Sequence, residues 1–122
     1  MAGEKRIMIV DDDDMSLRRA EFILKKTGHD IVTATSGEEC MRLLQQEPVD
    51  LLFLDVKMPG KDGIETLREI RAMDGLSDLP VIFLTGSEDS GHEQEAKELG
   101  AKDFVLKPLK PQELIAQVEK TL

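Results

Sequence analysis

The sequence has one cysteine, no tryptophan and no tyrosine. A single cysteine excludes an internal disulfide framework and is typical of a reducing compartment. The four phenylalanines are the only aromatic residues, so the chain lacks a platform on which nucleic-acid bases could stack. No apolar run approaches the roughly 18 residues of a transmembrane helix, and no signal peptide opens the chain. We therefore expect a cytoplasmic protein that is not inserted in a membrane.

Basic residues are also scarce. Lysine and arginine number 16 against 25 aspartates and glutamates, which gives a formal charge of −9. This balance argues against direct nucleic-acid binding, which needs a basic surface, and against an anionic membrane face. It favours a cation, or a basic patch on a protein partner. The 122 residues suit one domain spanning 1–122.

Short apolar runs alternate with longer amphipathic segments along the whole chain. Three of the runs, "IMIV", "LLFL" and "VIFL", are almost continuously hydrophobic, which is typical of strands buried on both faces of a parallel sheet. The five runs are Ile7–Val10, Ile31–Ala34, Leu51–Leu54, Val81–Leu84 and Phe104–Leu106.

Cap and stop residues mark the ends of the amphipathic segments. Ser36, Asp62 and Ser90 are placed to cap helices, and Gly28 and Gly100 fit helix stops. Five βα units with right-handed crossovers predict a doubly wound α/β sandwich. The helix expected over residues 91–99 is weak, because little of it can reach the core, and we expect motion there.

Polar side chains follow four of the predicted strands. Asp11 and Asp12 follow the first strand, Asp55 the third, Thr85 the fourth and Lys107 the fifth. With the strand order 2-1-3-4-5, the three acids converge at one edge of the sheet. Clustered carboxylates need a cation, and Mg²⁺ (or Mn²⁺) is the natural one. Such a site suits phosphoryl transfer, with Asp55 as the nucleophile.

The run of four aspartates also has a plainer interpretation. Acidic residues are stabilised at a helix N-terminus by the helix dipole, with or without a metal. For Asp11 and Asp12 the other strand ends favour metal binding. For Asp13 and Asp14 we expect capping and solvated charge.

The motifs "IMIVDDDD", "LLFLDVKMPGKDG", "VIFLTG" and "FVLKP", in this order and spacing, resemble the receiver domain of two-component response regulators, in particular the chemotaxis-regulator type. The resemblance covers essentially the whole chain. It implies a flavodoxin-like fold and a regulatory phosphoacceptor rather than an enzyme. It implies that Asp55 accepts a phosphoryl group from a histidine kinase or a histidine phosphotransfer protein. Asp11 and Asp12 would hold the metal, with the backbone carbonyl of Lys57 as a further ligand.

The resemblance also implies a switch. Thr85 and Lys107 would contact the phosphoryl group, and Phe104 occupies the position of an aromatic switch residue. This chain has phenylalanine where tyrosine is common, so a hydroxyl hydrogen bond is lost, and a plain core role for Phe104 is the alternative. Lys57 and Ser87 lie at variable positions beside the phosphoryl group and are expected to tune its lifetime. The Lys107–Pro108 peptide bond would be cis.

The function expected is a phosphorylation switch of a two-component system or phosphorelay. Phosphorylation would change the surface formed by helix 4, strand 5 and helix 5, and so control a downstream protein or output domain. A phosphorylation-dependent dimer is compatible with this scheme. Two alternatives are a phosphate-independent receiver-like interaction module and a small Mg²⁺-dependent phosphatase of the haloacid-dehalogenase type. The phosphatase should carry its nucleophile after strand 1 and should have a cap for its substrate.

Overall fold

The computed structural model describes residues 5–86 and 93–122, in which strands and helices alternate. The strands are β1 (Arg6–Val10), β2 (Asp30–Ala34), β3 (Leu51–Asp55), β4 (Val81–Thr85) and β5 (Asp103–Leu106). The helices are α1 (Asp14–Lys25), α2 (Gly37–Gln46), α3 (Gly63–Ala72), α4 (Glu93–Glu98) and α5 (Pro111–Thr121). None of these helices is long and apolar enough to cross a membrane.

The five strands form one parallel sheet in the order β2-β1-β3-β4-β5. The predicted doubly wound, flavodoxin-like α/β fold is therefore confirmed. The chain leaves β1 toward β2 on one side and returns to β3 on the other, so strand order reverses between β1 and β3. In a sheet of this kind, a ligand binds at the carboxyl ends of the strands beside this reversal.

Apolar layers cover both faces of the sheet. Met8, Val10 and Phe83 belong to the layer that also takes side chains from α2, α3 and α4. Ile9 and Phe53 belong to the opposite layer, against α1 and α5. Strand β3 lies at the centre and is buried over its whole length. The nearly continuous apolar runs are explained by this two-sided burial, because neither face of a central strand meets water.

Capping side chains begin the helices as predicted. The Ser36 hydroxyl accepts a hydrogen bond from the Glu39 backbone N–H at 3.0 Å. At α3, Asp62 accepts from the Glu65 N–H, and the Glu65 carboxylate accepts from the Asp62 N–H, which forms a complete capping box. The predicted cap Ser90 lies outside the described residues, as does Ser87.

Helix α4 has the thinnest attachment to the core. Within Glu93–Glu98 only Ala96 is buried, and Leu99 packs on the core just after the helix. The small apolar contact of this segment agrees with the sequence. The motion expected there stays a prediction.

Gly63 allows α3 to begin directly against the end of β3. Its backbone N–H donates to the carbonyl of Val56 at 2.8 Å. A Cβ at this position would lie 2.2 Å from the carbonyl oxygen of Asp55, far inside van der Waals contact. Backbone atoms cannot retreat as a flexible side chain can, so only glycine fits here.

We expect Gly63→Ala to lower the free energy of unfolding by roughly 2–3 kcal/mol, because the added methyl group overpacks the end of β3. The matched control is Gly60→Ala. Gly60 has φ +77° and nothing within 4 Å of an added Cβ, so that variant should lose only about 1 kcal/mol, through backbone strain. Urea unfolding measures both. Equal losses in the two variants would contradict the steric argument.

Candidate functional site

The side chains singled out from the strand ends meet at the carboxyl edge of the sheet. Val10 is the register partner of Leu54, so the residues that follow them, Asp11 just after β1 and Asp55 at the end of β3, come out side by side. Asp11, Asp12 and Asp55 each offer a carboxylate oxygen, and these atoms lie within 4.8 Å of one another. The predicted convergence of the three acids is therefore observed.

Lys107 places its ammonium between two of these carboxylates. Its Nζ lies 2.9 Å from Oδ2 of Asp11 and 3.3 Å from Oδ1 of Asp55. Its backbone N–H donates to the carbonyl of Thr85 at 2.7 Å, which holds the end of β5 against β4. The Lys107–Pro108 peptide bond that follows is cis, as expected.

The three acids differ in exposure. Asp11 is fully buried and Asp55 is 4% exposed, whereas Asp12 is open to solvent. Oδ1 of Asp11 accepts a hydrogen bond from the Asp13 N–H at 2.9 Å. Oδ2 of Asp11 has no hydrogen-bond partner within the described residues, although it lies close to the Lys107 ammonium. The Lys107 contact is therefore chiefly an attraction of opposite charges, and Asp11 also belongs to the group of carboxylates that could hold a cation.

Burial and charge shift two pKa values in the site. Burial raises the pKa of Asp55 to about 7, the charge of Asp11 adds to this effect, and Lys107 opposes it. Burial lowers the pKa of Lys107, but contact with Asp11 and the charge of Asp55 outweigh burial, so its pKa is raised and it stays an ammonium at neutral pH. One ammonium does not balance three carboxylates, so the site retains an affinity for cations.

The first two acids of the aspartate run separate from the next two, as predicted. The Asp13 carboxylate caps α1 by accepting from the Ser16 N–H at 3.1 Å, and the pKa of Asp13 is lowered by the Ser16 side chain and by this backbone hydrogen bond. Asp14 lies in the first turn of α1 and forms an exposed ion pair with Arg18. Asp13 and Asp14 thus start the helix.

The two candidate switch residues lie on β4 and β5. Thr85 ends β4, is partly buried, and is the register partner of Leu106. The Phe104 ring is partly buried and stacks on Phe83, with ring centroids 6.2 Å apart and an angle of 18° between the planes. Leu106, two residues further on and so on the same face of the strand, is 56% exposed. The structure brings Phe104 into the core layer next to α4, where both a core role and a switch role are open to it.

Two contacts of the site have little signal in the sequence. The bond from the Asp13 N–H to Asp11 makes the start of α1 part of the support of the buried carboxylate. Only the general preference of aspartate for bonding the backbone two residues on could have indicated it. The Phe83–Phe104 stacking joins adjacent strands, and its register could not be predicted without the sheet order.

Comparison with known proteins identifies the family. The sequence profile of the response regulator receiver domain matches residues 7–119. This chain belongs to the response regulator receiver domain family. The chemotaxis protein CheY4 of Vibrio cholerae is similar in structure, with a TM-score of 0.92 at 26% identity, over 98% of this chain and 100% of that chain.

Two further structures extend the comparison. The signal receiver domain of a signal transduction histidine kinase from Syntrophus aciditrophicus is 33% identical, with a TM-score of 0.87, over 97% of this chain and 89% of that chain. NtrX from Brucella abortus is 30% identical, with a TM-score of 0.89, over 98% of this chain and 27% of that chain. Receiver domains thus match this chain both at full length and as one part of a longer protein.

Receiver domains are regulatory phosphoacceptors of two-component signalling, and they bind Mg²⁺ at an acidic pocket. The donor set of this receiver domain fits such an ion. Asp11, Asp12 and Asp55 supply hard carboxylate oxygens, one of which is buried without a hydrogen-bond partner. Asp12 also lines an open cleft of about 470 Å³ together with Lys57 and Met58, so solvent has access. The role of the Lys57 carbonyl as a ligand stays a prediction.

We expect Asp55→Asn to stabilise the metal-free receiver domain by roughly 1–3 kcal/mol at pH 8, because it removes a buried carboxylate that faces Asp11. The folded-state pKa of Asp55, about 7, lies above the ordinary aspartate value of 3.8, so the folded state holds a proton that the unfolded chain releases. The stability of the parent protein should therefore fall between about pH 4 and pH 7, and the advantage of Asp55→Asn should be smaller at pH 5 than at pH 8.

Urea unfolding in EDTA at the two pH values measures this difference. Asp12→Asn is the matched control and should change stability less, because Asp12 is solvated. Addition of Mg²⁺ should remove the advantage of Asp55→Asn. Destabilisation by Asp55→Asn at pH 8 would show that repulsion between Asp11 and Asp55 is not the dominant effect.

Proposed function

We propose that this receiver domain is a phosphorylation switch in which Asp55 accepts a phosphoryl group from a histidine kinase or a histidine phosphotransfer protein. The observation that carries the proposal is the buried Asp55 carboxylate beside Asp11, with the ammonium of Lys107 within 3.3 Å. A nucleophile, a cation-binding carboxylate pair and a fixed positive charge are together what phosphoryl transfer requires.

The transfer step needs no group outside the donor and the site. A carboxylate oxygen of Asp55 forms a bond to phosphorus while the bond from phosphorus to the donor imidazole nitrogen breaks. The electron pair of that bond stays on the imidazole. A Mg²⁺ ion held by Asp11, Asp12 and Asp55, with the Lys57 carbonyl, would neutralise charge on the phosphoryl oxygens. Mn²⁺ has the same preference for oxygen ligands and would serve in its place.

Two side chains of this chain would then hold the phosphoryl group. Lys107 is restrained at its backbone by Thr85 and at its ammonium by the acids, so it can contact a phosphoryl oxygen with little rearrangement. The Thr85 hydroxyl is at the end of the neighbouring strand and can donate to another oxygen. Through these two contacts, the aspartyl phosphate would be linked to the end of β4 by Thr85 and to the end of β5 by Lys107.

The output surface would be formed by α4, β5 and α5. Strand β5 is at the edge of the sheet, Leu106 is 56% exposed, and α4 buries little of itself. A displacement of Thr85 toward the phosphoryl group would open space beside Phe104, and a move of that ring would alter this exposed surface. The downstream partner would be a protein or an output domain that prefers one of the two arrangements.

We expect incubation with acetyl phosphate to add one phosphoryl group per chain, detected by intact mass spectrometry, only when Mg²⁺ or Mn²⁺ is present. Asp55→Ala should show no adduct. Asp74→Asn is the matched control, since Asp74 is an exposed aspartate in the loop before β4, and it should be phosphorylated normally. If the parent protein gave no adduct and bound no beryllofluoride, a phosphate-independent module would be the better interpretation. Sustained turnover of phosphate monoesters would favour the phosphatase.

We expect Phe104→Ala to leave phosphorylation by acetyl phosphate unchanged and to weaken the response of the output surface. The measure is the change of amide NMR shifts in α4 and β5 on addition of beryllofluoride. Phe22→Ala is the matched control, because Phe22 is 67% exposed on α1 and far in sequence from the switch. Loss of phosphorylation in Phe104→Ala, or a full response at Ala96, would count against the switch role of Phe104.

A further inference from the structure

Two arginines of α3 make contacts in this region, one with α4 itself and one with the residues that directly follow it. The Arg68 guanidinium forms an ion pair with the Glu95 carboxylate in the described part of α4. The two side chains are 55% and 45% exposed, so water and salt weaken the pair. The other acids near Arg68 on α3 are occupied: Glu65 completes the capping box, and Glu69 accepts from the Lys61 ammonium at 2.7 Å.

Arg71 holds the carboxyl end of α4 through backbone carbonyls. Its Nε donates to the Leu99 carbonyl at 2.7 Å and its Nη2 to the Gly100 carbonyl at 3.2 Å. Its Nη1 donates to the carbonyls of Leu76 and Leu79, at 3.1 and 2.8 Å, in the loop before β4. Breaking this set would leave several part-buried carbonyls without donors, which is costly. The carboxyl end of α4 is thus tied to α3 and to the loop before β4.

The rest of the described helix has weak anchors. Ala96 is its one buried residue, and the Arg68–Glu95 pair is its one ion pair to α3 within the described residues. A displacement that keeps the Arg71 contacts must rotate α4 about its carboxyl end. Such a rotation separates Glu95 from Arg68, because Glu95 lies about one helical turn from that end.

We propose that the Arg68–Glu95 ion pair is a latch that favours the resting position of α4, while Arg71 fixes the carboxyl end of the helix in both arrangements. This inference rests on the proposed function, since the arrangement opposed by the latch is the phosphorylated one. The latch need not contribute much to the stability of the fold. By favouring the resting arrangement, the latch lowers the fraction of molecules that are ready to bind a phosphoryl mimic. The apparent affinity for the mimic falls in proportion to that fraction.

The test is the apparent affinity of the full chain for beryllofluoride with saturating Mg²⁺, measured at low salt. We expect Arg68→Gln and Glu95→Gln each to tighten binding by about two- to five-fold, the range for an exposed ion pair. The double variant should bind no more tightly than either single variant, because each removes the same contact. The exchanged pair Arg68→Glu with Glu95→Arg should return toward the parent affinity.

Glu98→Gln is the matched control. Glu98 is an exposed acid of the same helix, and its carboxylate accepts a hydrogen bond from the Gln94 side chain within α4, so removing its charge should leave the affinity unchanged. The ratio between parent and latch variants should approach one at about 1 M salt. In the parent, the amide shifts caused by beryllofluoride should be large at Glu95 and Ala96 and small at Leu99 and Gly100.

The outcomes separate the two levels of the proposal. A parent protein that binds no beryllofluoride would overturn the proposed function, and the latch with it. Normal binding by the parent, with equal affinity in Arg68→Gln and Glu95→Gln, would overturn the latch alone. Additive effects in the double variant, or an equal effect of Glu98→Gln, would show that general charge on α4 is responsible and would also overturn the latch. Larger amide shifts at Leu99 and Gly100 than at Glu95 would overturn the fixed role of Arg71.

Discussion

The carboxylates of Asp11 and Asp55 are buried side by side at the ends of β1 and β3, with the Lys107 ammonium in contact with both. Like charges in this position repel each other, and removing them from water adds to the cost. The packing of the sheet offsets this unfavourable free energy. Strands β1 and β3 are neighbours in the interior of the sheet, where the strand order reverses. Apolar layers cover them on both faces. The acids cannot move apart without disturbing the register of these strands, so the site keeps its affinity for a cation.

The same core divides the helices by how firmly they are held. Helix α1 buries Leu17, Ala20, Ile23 and Leu24, and α3 buries Ile64, Leu67 and Ile70 among others, whereas α4 buries only Ala96 in its described part. A change of charge at Asp55 acts on all of its surroundings. The structure would respond where the restoring free energy is smallest, and α4, which is thinly attached to the core layer that also holds Phe104, meets that condition. Weak packing in one helix and rigid packing under the acids would thus be complementary requirements of the proposed switch.

Much of this could be predicted from the sequence, because it depends on local patterns. The apolar runs, the caps at Ser36 and Asp62, and the polar residues after each strand are local signals, and parallel strand order brings the last group together. Features that depend on side-chain direction could not be predicted. Asp11 is buried and Asp12 exposed although they are adjacent in the same acidic run, because side chains that are adjacent at the end of a strand point to opposite sides, and the Asp13 N–H binds the Asp11 carboxylate in its inward position. The arginines of "LREIRA" look alike in the sequence, yet Arg68 meets a carboxylate and Arg71 meets four carbonyls, because the two positions face different parts of α4 and its loops.

The balance of charge in the site indicates how a phosphoryl group would act as a signal. With all three carboxylates in their ionised form, the site and its one ammonium would carry an excess of two negative charges, and one divalent cation would remove that excess. An aspartyl phosphate replaces the single charge of Asp55 by a charge of about −1.5 to −2, so the net charge of the cation-loaded site changes by about one unit or less. The larger change is in position, because the acceptor oxygens of an aspartyl phosphate would extend beyond the Asp55 carboxylate at the end of β3, while Lys107 would stay within reach of them. Thr85, on the neighbouring strand, can donate to an oxygen placed there. The signal is therefore a displaced set of hydrogen-bond acceptors more than a large electrostatic field, which is why its effect should follow β4 and β5 to α4 and leave the far side of the sheet in place.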